Sequence, residues 1–241
     1  MSGVNGVPVT KLAYAERVAR LEADVAAFTS TSIIAAVERM RALLKVIHDR
    51  SRHLPAGPDP VERELSTLFN DAWRAVDSAH LLKELLGSKL EDDPSTAAAE
   101  FRQAAAAASV VRNKMDHIHE QIDNLARKTR KKSAPLLGVV SAVFFHREQL
   151  VYGSLSYLDS IVLSHSESHH RLNFETVPKD LFPITEPVDH LRLHAFDTVV
   201  ELSRLSKAVA ALGAGKERLP PPSSNTRLRI YVRALWDPPL R

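Results

Sequence analysis

Apolar residues recur along the first half of the chain at alternating spacings of four and three, the signature of one buried face of an α-helix. Tyr14, Val18, Leu21, Val25 and Phe28 follow it. Ile33, Val37, Met40, Leu44 and Ile47 take it up again after a five-residue step across Thr29, Ser30, Thr31 and Ser32. The step predicts two stacked helices or one long kinked helix. Pro55, Gly57, Pro58 and Pro60 then break the pattern, with Asp59 placed to cap the next helix and Pro60 at its first position. That helix carries Leu65, Leu68, Ala72, Val76, Ala79, Leu82 and Leu86 and ends at Gly87. After Glu91-Asp92-Asp93-Pro94 comes a further helix, patterned as Phe101, Ala104, Ala108, Val111, Met115, Ile118, Ile122 and Leu125. Its Ala104 to Ala108 run suits close approach to a neighbour, and long helices with short connections predict an antiparallel bundle.

Beyond the basic run Arg127 to Lys132 the period changes. Gly138 to Phe145 and Leu150 to Tyr157, separated by His146-Arg147-Glu148-Gln149, are rich in β-branched and aromatic residues and predict a hairpin. Ile161 to Leu163 and Leu172 to Val177 are candidate short strands around the polar Ser164 to His170 loop. Thr185 is placed to cap a last helix with the stripe Val188, Leu191, Ala195, Val199, Leu202, Leu205, Val209 and Leu212, closed by Gly213 and Gly215. A proline-serine linker then leads to Arg227 to Arg233, where apolar and basic residues alternate as in a strand. The expected fold is mainly α: an antiparallel helical bundle with a small β-hairpin and strand-rich insertion in the second half, α+β overall. The expected divisions are an N-terminal arm (1–9), a helical bundle (10–132), a hairpin and loop region (133–187), a C-terminal helix packed on the bundle (188–215), and a linker with a short basic strand (216–241).

Composition narrows the chemistry. With 241 residues and 44% hydrophobic content the chain can bury a normal core. It has no cysteine, which excludes disulfides, thiolate metal sites and a cysteine nucleophile and suits a reducing cytoplasm. The start of the chain has no signal-peptide pattern, and the longest apolar run, Ala134 to Phe145, is 12 residues, too short for a membrane-spanning helix, so no membrane partner is expected. The 32 basic residues nearly balance the 29 acidic ones, so nucleic-acid binding would need a local patch. No glycine-rich phosphate loop, nucleophile elbow or dinucleotide fingerprint occurs, and no cofactor is expected. Trp73 and Trp236 read as packing residues. His165, His169, His170, His190 and His194 read as surface histidines, because no spacing fixes a third metal ligand.

One polar segment inside the alanine-rich helix carries candidate chemistry: Val111-Arg112-Asn113-Lys114-Met115-Asp116-His117-Ile118-His119-Glu120. An arginine, a polar residue directly after it, and a histidine separated from the arginine by four to six residues resembles the signature of the HEPN superfamily. That resemblance implies a helical, commonly dimeric protein that binds RNA or cleaves it without metal, in a toxin or phage-defence setting. In it Arg112 would stabilise phosphate charge, His117 or His119 would move a proton, and Asn113 would position the backbone. At about 100° per residue on a straight helix, Arg112, Asp116, His119 and Asp123 share one stripe while His117 falls on the opposite flank. His117 could join Arg112 only through a helix distortion or a second subunit. The same stripe also reads as plain surface pairing, Arg112 with Asp116 and His119 with Asp123. Lys128, Arg130, Lys131 and Lys132 are candidate phosphate contacts or an ordinary basic helix end. The expected partners are a second copy of the chain, RNA, or another protein. The alternative to RNA chemistry is a non-enzymatic interaction or scaffold protein that uses the bundle as a partner surface.

Overall fold

The structure, a computed structural model, describes residues 14–53, 62–127, 138–150, 153–164 and 187–214. Within them the protein is mainly α with one small antiparallel sheet: α1 (Tyr14–His53), α2 (Glu62–Glu91), α3 (Thr96–Asp116), α4 (Ile118–Arg127), β1 (Val139–Leu150), β2 (Gly153–Ser164), β3 (Val188–Ala195), β4 (Thr198–Glu201) and α5 (Leu202–Ala214). The predicted arm, the Asp59 and Pro60 cap, the Leu172 to Val177 strand, Thr185 and the basic strand at Arg227 to Arg233 lie outside the described residues.

The two apolar stripes of the first half lie on one continuous helix. At 1.5 Å per residue its 40 residues span about 60 Å. Ion pairs match positions along the antiparallel α1 and α2: Lys89 Nζ to Glu22 (2.5 Å), Arg39 to Asp71 in a two-pronged contact (2.5 and 3.0 Å), and Arg50 to Glu64 (2.7 Å). Asp71 is nearly buried, and its hydrogen bonds raise the pKa of Arg39, so the guanidinium stays charged. Between these pairs Ile33, Val37, Met40 and Leu44 meet Leu68, Ala72, Val76 and Ala79, all fully buried. Each of the larger side chains so placed stabilises the fold by about 1.5–3 kcal/mol. Gly87, at φ 36 and ψ −123, ends the regular part of α2 as predicted and lets one further turn follow. Ser95 opens α3, its side chain accepting from the Ala98 N–H at 3.2 Å.

Four differences from the sequence reading matter. First, the helix expected to run from Phe101 to Leu125 breaks at His117, whose φ of −102 and ψ of 37 separate α3 from α4. The core ends there: Val111 is fully buried and Met115 partly, but Ile122 is 44% exposed. Second, the hairpin is longer, because His146 to Gln149 continues β1 and Ile161 to Leu163 belongs to β2. Third, the helix expected over 188–215 is β3, β4 and the shorter α5. The stripe Val188, Leu191, Ala195, Val199 also contains a period-two reading, Leu191, Leu193 and Ala195 buried around the half-buried Arg192 and His194. Pairing with β1 selects that reading. Phe196 and Asp197, both at positive φ (50° and 61°), make the two-residue turn that sends the chain back as β4. Fourth, His190 and His194 are therefore strand residues and not a helical pair.

The sheet order is β2-β1-β3-β4, antiparallel throughout. Opposite Ala142 the register of β3 slips by one residue at His190 and Leu191, with His190 at φ 49, a β-bulge. The Leu191 N–H freed from the ladder donates to Ser203 Oγ at 3.0 Å. Gly138 permits the start of β1: a Cβ there would lie 2.7 Å from the His194 carbonyl oxygen, and its φ is +89. The core is continuous across both halves, running from α1, α2 and α3 through Val140, Ala142 and Phe144 of β1 to β3, β4 and α5. No helix among the described residues is long and apolar enough to cross a membrane.

Candidate functional site

Arg112 sits on the face of α3 that meets α2. Its Nε lies 2.9 Å from Asp77 Oδ1, and a second guanidinium nitrogen bonds Asp116, one helical turn on. Two carboxylates thus share one cation. Burial pushes the Asp77 carboxyl above its ordinary range, Asp116 adds to that, and Arg112 and His80 pull the other way. Next to Asn113, which is exposed, Lys114 extends to the Phe196 carbonyl oxygen at 2.7 Å. The ring of Phe196 packs edge-on to Trp73 at 6.3 Å, in keeping with the packing role read for that tryptophan. The polar segment therefore holds α3 to α2 through Arg112 and clasps the β3–β4 turn through Lys114.

The histidines of the motif lie elsewhere. His117 caps the end of α3 with a side chain 67% exposed, and its imidazole lies 3.8 Å from Glu120. His119 is exposed on the first turn of α4. Among the described residues no hydrogen bond joins Arg112 to either imidazole. The expected pairing of Arg112 with Asp116 is present, whereas the described contacts contain none between His119 and Asp123. Lys128, Arg130, Lys131 and Lys132 lie outside the described residues.

Further along the α2–α3 seam, Ser109 Oγ lies 3.3 Å from His80 Nδ1 and 3.5 Å from Lys83 Nζ and donates to the Ala105 carbonyl at 3.2 Å. A serine hydroxyl turned back onto its own helix is a packing device rather than an exposed nucleophile. A buried ionic cluster that the spacing of residues does not announce joins α1, β3 and α5. The Asp189 carboxylate, 3% exposed, binds Lys207 Nζ at 2.8 Å, takes the His190 N–H at 2.9 Å and lies 4.0 Å from Arg41. Arg41 also pairs with Glu38 at 2.5 Å. His48 stacks on Phe144 with ring centroids 4.1 Å apart. On the far side of β1, His194 Nε2 meets Ser141 Oγ at 2.9 Å, and burial, with the nearby Arg192 charge, pushes its pKa down to about 4. Only the β-bulge brings Asp189 and His190 into the core together, and no local pattern announces a bulge. Among the described residues no three histidine, aspartate or glutamate side chains gather to hold a metal ion.

A different surface stands out by exposure. Along the first half of α1, Tyr14 is 76%, Leu21 65% and Phe28 66% exposed, and Val25 is 38%. On a helical projection this stripe points about 100° away from the face formed by Ile33 to Ile47. The inward face continues through the first half as Thr29, Ala26 and Glu22, small or polar residues that bring α1 against α2. The five-residue step between Phe28 and Ile33 is the sequence trace of that rotation. Compared with known proteins, the chain matches no protein-family model, no curated protein and no solved structure.

Proposed function

We propose that this protein is a non-enzymatic interaction module that uses the first half of α1 as its binding face. The apolar stripe exposed at Tyr14, Leu21, Val25 and Phe28, with Val18 half-buried between them, carries this reading. Four large exposed apolar side chains along a helix that already has a separate inward face pack against no core element among the described residues, and contiguous exposed apolar surface of this kind marks a partner site. The Arg112 segment supports the same reading over RNA cleavage. A guanidinium neutralised by Asp77 and Asp116 is poorly prepared to receive phosphate, and the imidazoles of His117 and His119 stand apart from it. A cytoplasmic setting is part of this proposal, and the cysteine-free composition is compatible with it.

Two measurements test it. At chain concentrations low enough to exclude self-association, Leu21→Glu combined with Phe28→Glu should leave the thermal midpoint of the full chain within about 2 °C of wild type, since surface changes away from core contacts cost under about 0.5 kcal/mol. A drop of 10 °C or so would place the stripe inside the fold and end the proposal. Incubating bulk RNA in chelator with wild type, Arg112→Ala and His117→Ala should give equal, background-level cleavage. Cleavage lost in both variants would restore the ribonuclease reading.

A further inference from the structure

We infer that the partner of the α1 stripe is the same stripe of a second copy of this chain, joined in a parallel, in-register two-stranded coiled coil. The inference rests on the interaction reading above and names its partner.

The spacing is the first reason. A helix face packed against a globular core broadens to about 100° or more and drifts with the 3.6-residue period, as α1 does where Ala36 joins Val37 and Met40. The stripe from Tyr14 to Phe28 has the same alternation of four and three as Ile33 to Ile47 but no such added apolar neighbours: Arg17, Arg20 and Asp24 on one side and Glu22 on the other hold it to the narrow a and d rows of a coiled-coil seam. In heptad letters Tyr14, Leu21 and Phe28 are d positions and Val18 and Val25 are a positions. β-Branched residues at a with Leu at d favour two parallel strands, because in the dimer the a side chain packs parallel to the peptide bond it faces.

Charge supplies the second reason. Arg17 falls at g and Glu22 at e, five residues on. In a parallel, in-register pair each g residue meets the e residue of the following heptad in the partner, so Arg17 of each copy reaches Glu22 of the other. Two attractive contacts form and no like charges face. Among the described residues Arg17 has no acidic partner. In an antiparallel pair e flanks e and g flanks g, so Arg17 could meet Asp24 of the other copy, but the e positions Ala15, Glu22 and Thr29 include no cation to meet Glu22, which only the parallel pair neutralises across the seam. Lys89, which already pairs with Glu22, stands at the edge of the seam and leaves its second oxygen for the partner's arginine. Among the described residues the approach is open: α2 lies on the inward face, about 100° around α1, which leaves room for a further helix beside it as in a helical bundle.

The absence of cysteine makes the test clean. Tyr14→Cys, Leu21→Cys and Phe28→Cys are made singly in the full chain and oxidised, with Glu16→Cys on the outer face as control. In an in-register parallel pair every d residue meets its own copy, so all three yield disulfide-linked dimers and the control does not. An antiparallel pair can bring at most one of these positions onto its twofold axis, so a dimer from only one of the three overturns the orientation. Light scattering over a concentration series should give twice the chain mass for wild type. Leu21→Glu should weaken association at least about 100-fold by placing a charge in an apolar layer. Arg17→Glu should weaken it about 5-fold as both cross-pairs turn repulsive. A wild-type chain that stays monomeric at 200 µM or so while Leu21→Glu keeps its thermal midpoint overturns the second copy as partner but leaves the face free for another helix. A Leu21→Glu chain that loses its fold overturns both this inference and the interaction reading.

Discussion

The two halves of α1 carry the same kind of residues at the same spacing, yet one half is core and the other surface. Ile33, Val37, Met40 and Leu44 are fully buried, whereas Tyr14, Leu21 and Phe28 are each more than 60% exposed. Spacing specifies a helix with an apolar stripe; whether water is excluded depends on what lies alongside. In the second half α2, β3 and α5 all press on the stripe. In the first half α2 has turned at Gly87, and the inward face holds Glu22, Ala26 and Thr29 in place of large apolar side chains.

Breaking the buried half should have the largest effect. Leu44→Ala should cost about 3–4 kcal/mol in urea unfolding, while Leu21→Ala in the monomer costs under about 0.5 kcal/mol. Equal costs would erase the distinction between the halves. Next comes the ionic cluster that ties the buried half to the sheet. Asp189→Ala leaves Lys207 without its carboxylate and the largely buried Arg41 with Glu38 alone, and should cost about 3 kcal/mol, read as a fall in urea midpoint at constant slope. Acid sharpens the contrast from the other side of the sheet. The folded pKa of His194 is about 4, below the ordinary value near 6.5, so the unfolded chain binds more protons between those values. The stability that neutral His194 contributes is therefore complete above about 6.5 and is lost as the pH falls through about 4. His194→Gln should flatten that slope in denaturant midpoints taken between pH 7 and pH 4, and an unchanged slope would assign the loss to other groups. The smallest effect belongs to the Arg112 pairs, whose carboxylates are more than half exposed: Arg112→Ala should lower stability by about 0.5–1 kcal/mol.

Local signals were enough for much of the helical half. The Gly87 stop, the buried stripes of α2 and α3, and the Arg112–Asp116 contact follow from spacings of three and four within one helix. The hairpin of β1 and β2 was legible from its β-branched and aromatic residues, although its strands run further than composition suggested. The region 188–201 was not legible, because Val188, Leu191 and Ala195 fit a helix as well as a strand. The turn at Phe196 and Asp197 also lacks the asparagine or glycine that usually marks positive φ. The Arg112 segment shows the same limit at the level of chemistry. A motif places an arginine and a histidine near one another in sequence, but Asp77 comes from another helix, and the break at His117 lies where packing ends.

By itself the sequence determined helices in the first half, the inward stripe from Ile33 to Ile47 and those of α2 and of α3 as far as Val111, the presence of a hairpin and the five-residue phase change in α1, since each depends on residues within one or two turns. The same spacing marks Tyr14 to Phe28 as a buried face too, which the structure leaves exposed. Tertiary structure alone decided that β3 pairs with β1 and β4 with β3, that Asp189 meets Lys207 and Arg41, that Arg112 is neutralised from α2, and that Tyr14, Leu21, Val25 and Phe28 of α1 stand exposed. Burial and charge pairing are properties of what two distant segments do together, and no spacing within either one records them.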